Sequence, residues 1–213
     1  MYVRNRMSAN PYCITKDTAI STALDIMADH NFHRLPVVDG KRLVGLVTEG
    51  TISEHTPSKA TSLSIYELNY LLSKTKVDTI MIKNVITIGP DALLEEAAVL
   101  MRKHNVGCLV VLEDNEVIGI ITHNDIFQAF VDLLGYYEPG VRYVIEVTED
   151  KPGILAEVAQ CFFDQSASIT NLAVYHYPGK VDIVIRARDA ESEAIQQTLT
   201  SRGFNVVSVL KNQ

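Results

Sequence analysis

Shifting the N-terminal region of this chain by 74 residues lays one half of it on the other without a gap. Met7 falls on Met81, Asn10 on Asn84, Asp17 on Asp91, Met27 on Met101, and His30-Asn31 on His104-Asn105. Leu35 meets Leu109, Gly45 meets Gly119, Thr48 meets Thr122, and Ile52 meets Ile126. One shift that aligns so many positions marks a tandem duplication. Each copy has apolar residues at helical spacing: Ile20, Ala23, Leu24, Met27 and Leu94, Ala97, Ala98, Met101. Asp17 and Asp91 precede them as N-cap candidates. Two short apolar runs follow in each copy, 35–38 and 43–47, then 109–112 and 117–121, joined by polar turns at 39–42 and 113–116. A second helix is expected after Thr48 and after Thr122. The unit is β-α-β-β-α, too small to bury both faces of its sheet, so the copies are expected to pack sheet to sheet.

Between the copies, residues 54–61 are polar and hold Pro57, which suits a loop. Ser64-x-x-Glu67 reads as a capping box for a helix over 65–74. Residues 135–140 are rich in Gly and Pro and predict a linker and domain boundary. Beyond it the pattern changes: a strand at 143–147, a turn, and a helix with Leu155, Val158, Ala159 and Phe162 on one face. Strands at 169–175 and 181–186, a helix at 192–202 ending at Gly203, and a strand at 206–210 complete it. That order, β-α-β-β-α-β, gives a ferredoxin-like split sandwich, and the chain as a whole reads as α/β of the α+β kind.

Composition narrows the partners. No apolar run approaches the roughly 20 residues of a membrane-spanning helix, and no apolar stretch follows the N-terminal arginines as in a secretory signal. Cys13, Cys108 and Cys161 are far apart and form no Cys-x-x-Cys pair, so neither a disulfide framework nor a metal site is expected and a reducing cytoplasm fits. Net charge is −7 with the basic residues scattered, which argues against nucleic acid or an anionic membrane as partner.

The chemistry concentrates at one place. The strand at 117–121 runs directly into Thr122-His123-Asn124-Asp125 at the start of a helix. Free N–H groups and the positive dipole end there favour an anion such as phosphate. Thr122 adds a hydroxyl, and Asp125 is a carboxylate able to accept both hydroxyls of a ribose. From the residues alone, Thr122 and Asp125 read equally well as a helix cap.

The tandem unit closed by Gly119-x-x-Thr122-x-x-Asp125, with His33-Arg34-Leu35-Pro36-Val37-Val38-Asp39 in the first copy, resembles a pair of CBS repeats, a Bateman module, over roughly residues 1–134. The resemblance implies a cleft between the repeats that binds ATP, ADP, AMP or S-adenosylmethionine. It further implies that Asp125 contacts ribose, that Thr122 and His123 lie near phosphate, and that backbone groups of Val85, Ile86 and Thr87 receive the base. His33 and Arg34 would reach the phosphates from the opposite repeat. The first copy departs from the pattern, with Thr51 where the ribose carboxylate belongs, and the second has Gly107-Cys108 in place of His33-Arg34. One complete site per chain is therefore expected, with Thr48, Thr51 and Cys13 in a weaker second one. Residues 143–213 resemble an ACT domain through Asp150-Lys151-Pro152-Gly153-Ile154-Leu155 and Asn171, which implies dimerisation and an amino acid bound by Asp150, Gly153, Ile154, Leu155 and Asn171.

The order as a whole resembles the acetoin-utilisation protein B family: CBS repeats at 1–60 and 77–134, a linker helix at 61–76, a linker at 135–142 and an ACT domain at 143–213. It implies a non-catalytic regulatory homodimer acting on an unknown protein target. The alternatives are a structural dimerisation protein with vestigial sites and an enzyme. Against the enzyme stands the lack of a nucleophile–base pair, metal cluster or Walker-type loop in the sequence. His30 and His104 read as dipole-compensating helix-end residues, and Cys108 as a buried apolar side chain.

Overall fold

The computed structural model describes residues 1–56, 64–148, 151–189 and 191–211, which divide into two compact units, 1–127 and 128–213. The first unit is built from the two copies, apart from the end of the last helix, which from Gln128 on belongs to the second unit. Copy one contributes β1 (Ser8–Ala9), β2 (Ile14–Thr15), α1 (Ile20–His30), β3 (Arg34–Asp39), β4 (Arg42–Thr48) and α2 (Glu49–His55). After α3 (Ile65–Lys74), copy two contributes β5 (Thr87–Ile88), α4 (Leu94–His104), β6 (Cys108–Glu113), β7 (Glu116–Thr122) and α5 (His123–Leu133). The capping box is present: the Glu67 N–H donates to Ser64 Oγ at 3.3 Å and the Ser64 N–H to Glu67 Oε2 at 2.8 Å. Pro57 lies outside the described residues, and the expected 54–61 loop begins later than predicted because α2 runs to His55.

Asp17 and Asp91 are not N-caps. The helices begin at Ile20 and Leu94, after Ala19 and Leu93 in extended conformation. The two carboxylates instead pair with cations from outside their own copy's core, Asp17 with Lys76 at 2.7 Å and Asp91 with Arg4 at 2.6 Å. A cation within reach takes the carboxylate two residues before it can cap. For Asp17 this pairing holds the carboxyl below the usual range, mainly through the Lys76 hydrogen bond.

The copies meet both by face and by edge. Leu46 of the first packs with Cys108, Val110 and Ile120 of the second, and an Arg42–Glu116 pairing joins β4 to β7 in one seven-stranded sheet. Each copy also lends its leading segment to the other. β1 pairs antiparallel with β7, Ser8 opposite Ile120, and Ile82 bridges Leu46 in the same way. The Val3 N–H donates to Ala92 O at 2.9 Å, and the Val77 N–H to Thr18 O at 2.9 Å. All four relations map onto one another by the 74-residue shift. Val3 and Val77 are fully buried at these docking points.

The second unit holds β8 (Val141–Val147), α6 (Ile154–Asp164), β9 (Ser168–Tyr177), β10 (Lys180–Arg188), α7 (Ser192–Ser201) and β11 (Asn205–Lys211). The sheet order β11-β8-β10-β9 is antiparallel throughout, the split β-α-β pattern expected from the element order. Tyr143, Ile145, Ile183 and Ile185 on one sheet face pack on Val158 and Phe162 of α6 and on Ile195 and Leu199 of α7. Burial pushes the Tyr143 hydroxyl up to about 12. Gly203 follows α7 with φ +85°, a left-handed residue that ends the helix.

Candidate functional site

Each second helix starts on a threonine whose backbone is still extended. Thr48 closes the start of α2 through neutral groups: the Thr51 N–H donates to its Oγ1 at 3.0 Å, and the two hydroxyls lie 2.8 Å apart. At the start of α5 the same place carries charge. Asp125 Oδ2 accepts from both the Thr122 N–H and the Thr122 hydroxyl at 2.7 Å, and the Asp125 N–H reaches back to Thr122 Oγ1 at 3.4 Å. Both short bonds fall on one carboxylate oxygen. The sequence offered a cap or a ribose contact here, and Asp125 caps the start of α5.

A cavity of about 430 Å³ opens beside this turn. Its walls come from both copies: residues 8–12 and 31–34 of the first, and Gly107, Ile120 and residues 122–124 of the second. Arg34 Nη1 donates to Gly107 O at 2.8 Å, which fixes the guanidinium on the opposite copy. The same carbonyl accepts the His123 N–H at 3.3 Å. His33 Nδ1 lies 2.9 Å from Glu49 Oε2 at the exposed rim. Thus His33, Arg34, Thr122 and His123 share one cavity, and Asp125, which does not line it, is bonded to Thr122. Behind Arg34, burial pushes the Cys108 thiol up while the guanidinium pulls it partly back, so Cys108 is a buried neutral thiol.

Val85, Ile86 and Thr87 do not line this cavity, and Ser8, Ala9, Asn10, Pro11 and Tyr12 stand where they were expected. The physical reason is the exchange of leading segments. β7 takes as its neighbour the strand that precedes the other copy, Ser8 opposite Ile120, and this brings residues 8–12 to the cavity wall. Val85 instead packs near Leu46 and Val110. Thr48, Thr51 and Cys13 also lie off the cavity, Cys13 with its thiol donating to Pro11 O at 3.4 Å and raised by burial. Tyr12 and Phe32, which sequence reasoning passed over, line it and flank His30, with ring centroids 5.5 and 5.3 Å from the imidazole. Their spacing around His30 in only the first copy was the available signal.

In the second unit, Gly153 has φ +97° and α6 begins at Ile154. Asp150 lies outside the described residues. Asn171 does not join Gly153, Ile154 and Leu155 within one chain. Asn171 stands opposite Arg186, which stands opposite Arg142 near the start of β8, whereas Gly153 follows the end of that strand. The Asn171 amide is already engaged, donating to Leu133 O at 2.9 Å.

Comparison with known proteins places the first unit. The CBS-domain profile matches residues 3–57 and 77–132, just over half the chain. The chain belongs to the CBS-domain family. A CBS domain-containing protein of Dictyostelium discoideum is 34% identical over 134 residues, 62% of this chain and 92% of that protein. The inosine-5'-monophosphate dehydrogenase of Nitrosopumilus maritimus is 34% identical over 122 residues, but this chain spans only 22% of it. Among solved structures, a putative acetoin utilization protein from Vibrio cholerae aligns with a TM-score of 0.54 and 27% identity, covering 65% of this chain and 96% of that one. The CBS domain pair of protein MJ0100, in complex with 5'-methylthioadenosine and S-adenosyl-L-methionine, aligns with a TM-score of 0.52 and 28% identity, covering 62% and 97%. These matches concern the CBS pair. Among the described residues no group of His, Cys, Asp and Glu is placed to hold a metal, and no helix is long and apolar enough to cross a membrane.

Proposed function

We propose that the chain is a non-catalytic regulatory protein that binds one adenine nucleotide, ATP, ADP or AMP, or S-adenosylmethionine, in the cavity between its CBS repeats. The observation that carries this reading is the single cavity in which Arg34 and His33 of one repeat face Thr122 and His123 of the other. The start of α5 supplies the positive end of the helix dipole for phosphate or carboxylate. Arg34 supplies a fixed cation. Asp125 Oδ1 is positioned for a ribose hydroxyl, and the base lies against residues 8–12, with Tyr12 and Phe32 as its aromatic wall. The second combination of repeats has neither the carboxylate nor the cations, so it forms no comparable site.

The ligands in the MJ0100 complex, both adenosine derivatives, support the ligand class. The enzyme relative matches over a fraction of its length, which supports a regulatory segment attached to a separate catalyst. Residues 143–213 act as an ACT domain that pairs two chains along the exposed apolar edge of β11, where Val207 and Leu210 face solvent. An amino acid would bind at the loop around Gly153, Ile154 and Leu155, with Asn171 outside that site because β9 forms the sheet edge opposite β11. The link to acetoin utilisation rests on the likeness to the Vibrio cholerae protein.

A thermal-shift panel tests the central reading. An adenine compound at 100 times its dissociation constant adds about 2.7 kcal/mol of stability, and guanosine phosphates at the same concentration add much less. If no adenine nucleotide, S-adenosylmethionine or methylthioadenosine moves the transition, the proposal fails.

A further inference from the structure

The open face of the C-terminal sheet carries a buried cation without a counter-charge. Arg186 is 4% exposed, and its neighbour across β8 is Arg142. Like charges directly opposite on adjacent strands repel, and neither guanidinium is ion-paired among the described residues. Arg186 Nη1 donates to Glu138 O at 3.3 Å, but its Nε is buried with no partner. On the other side of Arg186, Asn171 donates Nδ2 to Leu133 O while its Oδ1 is also buried and unpartnered. Arg142, Asn171 and Arg186 line one small cavity together with Leu133 and Leu134. It leaves about 20 Å³ for the centres of water-sized atoms, room for a planar group of a few bonded atoms and no more.

The geometry points to a binding site for a small monovalent oxyanion that carries one O–H, of the size and charge of hydrogencarbonate. Its single negative charge offsets one of the two facing guanidinium charges. One of its oxygens accepts from Arg186 Nε, and its O–H donates to Asn171 Oδ1. A chloride ion would meet the charge and leave Oδ1 facing an anion. A water molecule would bridge Nε and Oδ1 and leave both cations uncompensated. Only an anion with a donor satisfies all three groups, and a buried charge or polar atom left unmatched is costly. By holding Leu133 O and Glu138 O, the same side chains clip residues 133–138 to the sheet, so occupancy of the site tightens that segment.

The test uses the full chain at constant ionic strength and pH 8, with hydrogencarbonate, formate and chloride exchanged as sodium salts. Hydrogencarbonate at about five times its dissociation constant is expected to raise Tm by about 2–4 °C over chloride. Formate, which has no O–H, is expected to fall short of it. Arg142→Gln, which leaves both segment contacts in place, is expected to abolish the difference, and ¹³C-hydrogencarbonate should show line broadening with the native chain only. Equal shifts from all three salts would indicate charge screening alone and overturn the proposal. No shift and no broadening would leave a water in the cavity and overturn it equally.

Discussion

Asp125 and Thr51 occupy equivalent positions in the two repeats and close their helices by different chemistry. The Asp125 carboxylate accepts two 2.7 Å bonds from Thr122, whereas Thr48 and Thr51 close α2 through hydroxyls and a backbone N–H. Removing a helix cap costs about 0.5–2 kcal/mol. Asp125→Ala is therefore expected to lower the stability of the ligand-free protein by that amount in urea titration. Asp125→Asn, which keeps an acceptor for the Thr122 N–H, should lose less; equal losses would show that the carboxamide cannot replace the cap. The Thr122–Asp125 pair was visible in the sequence because a hydroxyl and a carboxylate three residues apart at a strand-to-helix junction have few other uses. Asp17 and Asp91 looked equally like caps, yet Lys76 and Arg4 claim them. Asn171 looked like a ligand contact, yet it holds the Leu133 carbonyl and fills the space beside left-handed Gly135, where a Cβ would overlap its amide. Such competition for a polar side chain is set by distant residues, and local spacing does not report it.

The elements themselves were legible, because helical and strand periodicities are local and the repeat states each of them twice. What the repeat does not state is which copy's leading segment joins which copy's sheet. A shift of 74 residues is satisfied equally by closed units and by exchanged ones. The exchange is what moved residues 8–12 into the cavity and left Val85, Ile86 and Thr87 outside it. It is locked by two glycine–methionine contacts that are themselves related by the repeat. A Cβ on Gly119 would meet the Met7 thioether, and a Cβ on Gly45 would meet the Met81 thioether and also lie 3.3 Å from the Ile82 carbonyl. A methionine end swings aside at small cost, whereas a backbone carbonyl in the β4 bridge does not. Gly45→Ala is therefore expected to destabilise more than Gly119→Ala, by about 1–3 kcal/mol against less than about 1. Equal effects in chemical denaturation would mean that the Ile82 bridge is not rigid.

At the scale of the molecule, the two copies are equivalent in their elements and differ in the charged residues at positions 33, 34 and 125 and their counterparts. The first repeat retains His33 and Arg34, which line the cavity with Thr122 and His123, and the second retains the carboxylate at 125, bonded to Thr122. The C-terminal unit contributes its own sheet, its exposed β11 edge and the buried Arg186 opposite half-buried Arg142. The asymmetry of the CBS pair is the claim on which the functional reading depends, and stoichiometry tests it most directly. In isothermal calorimetry of the full chain with ADP, the account predicts one site per chain. It also predicts at least a tenfold loss of affinity in Asp125→Ala, since each charge-assisted hydrogen bond contributes about 1.5–3 kcal/mol. Thr51→Ala should bind ADP as the native chain does. Two equivalent sites per chain, or equal losses in Asp125→Ala and Thr51→Ala, would contradict it.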